Sequence, residues 1–438
     1  MVCGLGIGHP VPVRGGAAGG LGQGAVGTGV DVRLATDARH WVLLDQMLVS
    51  GSNFLIALVL ARAMGPAAFG VYALITAVQQ FCVGLSTSLV ANPVGMALPH
   101  ADAQPDRQVL LAGGHAIQLF IGGCLAAVTA VVGTVVVHLL PAHGVGMAEI
   151  GLLCVGVASL PLLEWYRKML FVRSAYRDVF IADACLYGPL LPTVALLAMT
   201  DRTSVAWVMA SWAGCSLLAV VWGYHSTRTP ADWRLAREHV RRQWRASLEW
   251  VAATQIQWLG SQGVIFVAAP LVGVAGIGAY RSAVSLLGFT NAIGQMLDNT
   301  VSLRSAEHYA KSGEEALRTY LYKTGLRSTL MVALIVSPFV IFPEWICHLV
   351  LGSGYVGYES LLPLQAIYTV LLFGYRSLIF YRRAKLQTRM VAHSAVIFAA
   401  SSIAVTAFVS SSLGPMGIVL STVTGVFCSV AFLAYRRA

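Results

Sequence analysis

The chain is short of charge. Only 11% of its 438 residues are Asp, Glu, Lys or Arg, against roughly a quarter in soluble domains. With 57% hydrophobic residues, such a fold could not keep a soluble surface wetted, so lipid must be its main solvent. Paired cysteines are missing too. Cys3, Cys82, Cys124, Cys154, Cys185, Cys215, Cys347 and Cys428 form no CxxC, and most fall in apolar runs. They read as small core residues, so no disulfide framework, metal site or cofactor is expected. No GxxxxGK[ST] occurs, which excludes an ATPase with a Walker A loop. Residues Met1 to about His40 are Gly-rich and lack the apolar core of a signal peptide, so residues 1–40 read as a disordered cytosolic tail.

What the chain does carry is apolar runs and positive loops. Crossing the hydrocarbon takes roughly 20 apolar residues, and twelve stretches qualify, from Leu43–Arg62 to Gly414–Ala434. The net charge of +10 sits in short loops between them rather than in a basic domain, so nucleic acid is not expected as a partner. With both termini inside, 26 of the 29 Lys/Arg residues fall on the cytosolic side, as the positive-inside rule requires. Only Arg62 and Arg202 lie outside, and Arg281 falls within a span.

The sequence also repeats. Gly65–Tyr72 and Gly273–Tyr280 both read G-x4-G-x-Y, 208 residues apart. Gln46, Ser50 and Asn53 share one face of the first span, and the same offset puts Thr254, Trp258 and Ser261 on the matching face of the seventh. Both repeats begin on the cytosolic side. The expected fold class is therefore all-α: two six-helix lobes, 41–226 and 247–438, related by a pseudo-two-fold along the membrane normal, with the path between them. A basic linker over 227–246 joins them. Within it, Trp233, Ala236, Val240 and Trp244 form a stripe amid five arginines, the pattern of an interfacial helix on an anionic leaflet. Anionic membrane lipid is thus an expected partner.

At this point a family becomes recognisable. Leu44-Asp45-Gln46, Ser50-Gly51-Ser52-Asn53-Phe54 and Ala61-Arg62-Ala63-Met64-Gly65-Pro66-Ala67-Ala68-Phe69-Gly70-Val71-Tyr72 resemble the opening of polysaccharide exporters and O-antigen flippases of the multidrug/oligosaccharidyl-lipid/polysaccharide exporter superfamily. Gly273–Arg281 looks like their junction of helices seven and eight, and Gly352-Ser353-Gly354-Tyr355 like the outer loop before their tenth span. Ser302-Leu303-Arg304 departs from a Pro frequent there, which leaves the local kink open. The resemblance implies a central cavity open to one side at a time, and a lipid-linked oligosaccharide flipped for surface polysaccharide assembly in a bacterial plasma membrane. It implies a carrier rather than an enzyme, working beside glycosyltransferases and a glycan polymerase.

Candidate sites follow, each with a plainer reading. An intramembrane charge such as Arg281 must face a wet cavity or a partner, and a guanidinium suits the pyrophosphate of a polyprenyl-linked sugar; it could instead snorkel to the outer interface. Arg62 could join it, or merely oppose the dipole of its helix. Gln46, Asn53, Gln255 and Gln257 could line a sugar site, or be packing amides between helices. His115 reads as a hydrogen-bonded bundle residue. Asp45, Asp183 and Glu249, near the cytosolic ends of their spans, could carry a coupling ion or be interfacial charges. A multidrug cation exporter would want acids deep in the spans. A membrane glycan polymerase or ligase would want a long outer loop with catalytic Arg, His or Asp, and the 343–358 loop has no Lys or Arg. A structural scaffold would not need polar helix faces repeated between the halves.

Overall fold

The computed structural model of the protein describes residues 30–98, 101, 104–139 and 146–435. Of the tail expected over 1–40, residues 1–29 lie outside that set, and helix begins at Val30. The described chain is helical almost throughout. The first half comprises α1 (Val30–Ser86), α2 (Asn92–Ala97), α3 (Gln104–Gln108), α4 (Gly114–Leu139), α5 (Met147–Val172), α6 (Tyr176–Met199) and α7 (Val205–Thr227). Then come α8 (Trp233–Trp258), α9 (Val264–Leu286), α10 (Thr290–Ile341), the short α11 (Pro343–Ile346), α12 (Leu361–Ala384), α13 (Thr388–Leu413) and α14 (Pro415–Tyr435). Wide π-type turns at Thr87–Ala91, Val109–Gly113 and Leu259–Gly263 run on between neighbouring helices.

Ten helical stretches of the described residues are long and apolar enough to cross a membrane. Two are too long for one crossing. His40–Ala97 has 58 residues and Trp233–Leu286 has 54, each about 80 Å or more of helix at 1.5 Å per residue against a hydrocarbon core of about 30 Å. Each is broken at one glycine: Gly65 with φ 70° and ψ 175°, Gly273 with φ 70° and ψ 168°. A side chain is strained at such a positive φ, and glycine is not. The breaks turn ten stretches into the twelve crossings that the hydropathy predicts. They fall on the first glycine of each repeat, with the same backbone conformation.

The second glycine of each repeat has a different task. A Cβ on Gly70 would overlap the carbonyl of Val274, and one on Gly278 would overlap the carbonyl of Pro66. Pro66 and Val274 are themselves 208 residues apart. Each repeat thus presses its glycine on the other's backbone at the same register, the reciprocity that a two-fold axis demands. Around this crossing the helices form two bundles. In one, α1 packs on α6, and α5 on α4 and α7. In the other, α10 packs on α12, α13 on α14, and α9 on α13 and α14. The contact of α1 with α9 joins them.

Within the stretch 227–246, residues 228–232 lie outside helix and the rest from Trp233 is helical. From Asp232, whose carboxylate caps the Arg234 N–H at 2.8 Å, α8 runs without a break into the seventh crossing. Of its expected stripe, Trp233, Val240 and Trp244 are exposed, whereas Ala236 is buried with His239 and Ser247. The eighth crossing also runs longer than Gly276–Leu297, because helix resumes at Thr290 and continues to a further break at Gly313.

Candidate functional site

A cavity of about 580 Å³ lies between the bundles. Both arms of α1 line it, Gln46 and Asn53 before the break and Tyr72, Thr76 and Gln79 after it; α5, α6 and α7 contribute Arg167, Asp183, Tyr187 and Trp212, and the second bundle Arg281, Ser285 and Gln295. Its end near the glycine breaks is shut. There the Gly70–Gly278 crossing leaves no space between backbones. The Tyr355 hydroxyl, on a buried side chain, donates to the Ala61 carbonyl at 2.9 Å. Arg62 donates to the carbonyls of Leu349 and Val350 at 2.5 and 3.4 Å.

Away from that end the bundles meet along two seams. On one, Ser88 donates to Thr254 at 2.8 Å, Ser247 to the Leu89 carbonyl at 2.6 Å, and Phe81 meets Trp258 edge-on. On the other, Gln46 donates to Gln295 at 2.6 Å and Phe54 meets Phe289 edge-on.

The cavity wall is polar for a membrane interior. Arg281, half-buried, donates to Gln262 Oε1 at 2.7 Å and shares the wall with Tyr72 and Trp212. Asn53 donates to the Tyr187 hydroxyl at 3.0 Å. Further along, one guanidinium faces three carboxylates. Arg167 lies 2.7 Å from Glu164, 3.0 Å from Asp183 and 3.9 Å from Asp45. Asp45 and Asp183 are buried, so with all four groups ionised the cluster carries more negative than positive charge in a desolvated place. Among the described residues, Gln79 Nε2 and Arg167 Nε have no hydrogen-bond partner, and both side chains line the same space. Buried donors of this kind are costly unless something accepts from them, and a polar cargo would do so.

The structure therefore sorts the sequence candidates. Arg281, Gln46, Asn53 and Asp183 reach the cavity, and Asp45 sits behind Asp183 on Arg167. Arg62 does not reach it, because its guanidinium is spent on carbonyls at the shut end. Gln255 packs beside Gly84 on the Ser88–Thr254 seam, and among the described residues neither of its amide atoms has a hydrogen-bond partner. Gln257 and Glu249 are exposed on the outside of their helix. Thr254 and Trp258, the repeat mates of Gln46 and Ser50, belong to that seam too. His115 is a buried packing residue that bonds the Thr229 carbonyl at 2.8 Å and the Tyr166 hydroxyl at 3.0 Å.

Comparison with known proteins settles the family. The model of a family described as "Polysaccharide biosynthesis protein" matches residues 59–360. The chain belongs to this family. No curated protein sequence matches it. Among solved structures, it is similar to an inward-facing multidrug resistance MATE family transporter of the MOP superfamily, with TM-score 0.73, 12% identity, and 91% of this chain and 97% of that one covered. It is also similar to the lipid II flippase MurJ in an inward closed conformation, with TM-score 0.68, 12% identity, and 92% and 87% covered. An outward-facing MATE transporter gives 0.50 at 13% identity, with 92% of each chain covered. The protein is a multi-pass membrane protein with the fold of those transporters.

Most of the cavity wall escaped the span map. The charge count places Arg167 and Lys168 with the inner segment 167–177, although the fourth span runs to Leu170, and α5 carries both into the cavity wall. Arg281 is therefore not the only intramembrane cation. A signal was available: Glu164, Arg167 and Lys168 stand at i, i+3 and i+4, on one helix face. Tyr72 lay in the repeat itself. Gln79, Trp212 and Tyr187 had no mark among so many aromatic and amide positions.

Proposed function

We propose that the protein carries a lipid-linked oligosaccharide, a polyprenyl-pyrophosphate glycan, from the inner to the outer leaflet of a bacterial plasma membrane for surface polysaccharide assembly. The observation that carries this reading is Arg281 in the wall of a polar cavity shut at one end. A guanidinium can hold a pyrophosphate through paired N–H donors, while Gln46, Asn53, Gln79 and the rings of Tyr72 and Trp212 offer a sugar both hydrogen bonds and flat apolar faces. The polyprenyl chain stays in the lipid. The family, whose description is polysaccharide biosynthesis, agrees with such a cargo, whose makers and users would be glycosyltransferases and a glycan polymerase. In this reading the termini are cytosolic and the Gly65–Gly273 end faces outward. Alternating access then consists of parting in turn the Tyr355–Ala61 and Arg62–Leu349 contacts at one end and the Ser88–Thr254 and Gln46–Gln295 seams away from it.

The surplus carboxylate beside Arg167 suits a coupling cation, a proton or sodium ion, held by Asp45 and Asp183. The same acids favour a second reading, a multidrug cation exporter. One experiment separates the two. In proteoliposomes with a fluorescent polyprenyl-pyrophosphate glycan, the flippase reading expects translocation that stops in Arg281→Ala and recovers in part in Arg281→Lys. No lipid translocation by the wild-type protein, together with export of organic cations, would replace it with the exporter.

A further inference from the structure

The cavity does not use the most basic element of the chain. On α8, Arg234, Arg237, Arg241, Arg242 and Arg245 are all exposed. Their order around the helix follows from 100° per residue. Val240, Trp233 and Trp244 fall within about 40° of one another, and all three are exposed. Arg237, Arg241, Arg234 and Arg245 fill the next ~80°, and Arg242 lies beyond them. Only Arg242 is neutralised, by Asp106 at 2.6 Å and by Glu238. The other four make no ion pair among the described residues. Arg245 instead lies 5.6 Å over the Trp244 ring, which ties the cationic band to the aromatic one.

The place of this face matters as much as its composition. Ser247 is bonded to Leu89, and the Leu235 backbone abuts Gly113. Trp165 packs on Gly114 and in the cluster of Val90 and Leu110, so both contacts lie at the same end of the first bundle. The twelve residue steps from Leu235 to Ser247, about 18 Å of helix, thus pass across that end. The buried side, Ala236, His239 and Ser247, faces the protein.

We propose that the Trp233–Arg245 face of α8 binds the headgroups of anionic phospholipids at the membrane surface. The aromatic band sits at the headgroup–acyl boundary, as amphipathic rings do, and the four unpaired guanidiniums reach lipid phosphates as two-pronged donors. A soluble anion would have no use for the adjoining Trp–Val–Trp ridge. This site is separate from the cargo cavity and stands whatever the cargo is.

The test uses the full-length protein in detergent, with retention of fluorescent phosphatidylglycerol measured against phosphatidylcholine. Expected are a preference for phosphatidylglycerol that weakens with salt, a loss of about tenfold or more in affinity in Arg237→Gln/Arg241→Gln, and little change in Arg242→Gln. Trp244→Ser should also weaken lipid retention, and inorganic phosphate should compete poorly. Equal retention of both lipids would overturn the proposal and leave the face to an acidic protein. Efficient competition by inorganic phosphate would overturn it in favour of a free-anion site. Unchanged binding in the double glutamine variant, with its elution profile as wild type, would overturn it as well.

Discussion

Replacing Gly278 by alanine adds a single methyl group, and the structure says where it goes. It overlaps the Pro66 carbonyl oxygen, with the carbonyl carbon at 2.7 Å and the Gly70 nitrogen at 2.8 Å. All three are backbone atoms of a helix held in its own bundle, so no side chain can turn aside. The two bundles must separate locally at their crossing. Overpacking without a rotamer escape costs about 1–3 kcal/mol. Gly70→Ala meets the mirror contact at Val274 and should cost the same. Because both methyls force apart one crossing, a helix pair already parted by the first admits the second at less cost, and the double variant should lose less than the sum. Gly151→Ala and Gly214→Ala, where a Cβ meets nothing within 4 Å, serve as controls and should stay within about 0.5 kcal/mol of wild type. Thermal unfolding of purified protein, followed by loss of the monodisperse elution peak, reads all five. A Gly278→Ala protein as stable as the controls would refute the reciprocal crossing. So would a double variant that loses the full sum, because independent sites behave that way.

Other expectations follow from the same geometry. Arg281→Ala should abolish glycan export in a complementation assay while its membrane level stays unchanged; normal export by that variant would remove Arg281 from the path. Arg167→Ala leaves Asp183 buried without its cation, a change worth about 3–5 kcal/mol for a buried pair, and Arg167→Ala/Asp183→Asn should regain part of that in the same melting assay; no recovery would show that the pair is not the unit. Tyr355→Phe combined with Arg62→Ala unfastens the shut end and should raise labelling of a cysteine at Ala73 by membrane-impermeant thiol reagents from outside; labelling as low as in the parent would show that these contacts do not hold the gate. A cysteine at Pro230 should stay protected from the same reagents in intact cells, and labelling there would invert the topology.

Composition alone requires a lipid-embedded chain, because 11% charge cannot solvate a surface of this size. Hydropathy sets the number of crossings. The repeat at offset 208 marks in advance both breaks and the crossing glycines, since a positive φ and a backbone overlap each tolerate only glycine. Arg281 is legible because a charge inside a span has few places to go. Which of the remaining polar residues see the cavity was decided only by packing. A crossing surrounded by lipid and by other helices is apolar on nearly every face, so its pattern does not say which side looks at water. Gln46 and Asn53 turn to the cavity, while Gln255, its neighbour on a matching helix, turns to the seam at Gly84. Arg62 was spent on Leu349 and Val350, 287 and 288 residues away, and Arg167 was drawn inward by three carboxylates from three helices. Of these partners only Glu164, three residues before Arg167 on the same helix, could be named from a local stretch of sequence; the others meet only when separate helices pack together.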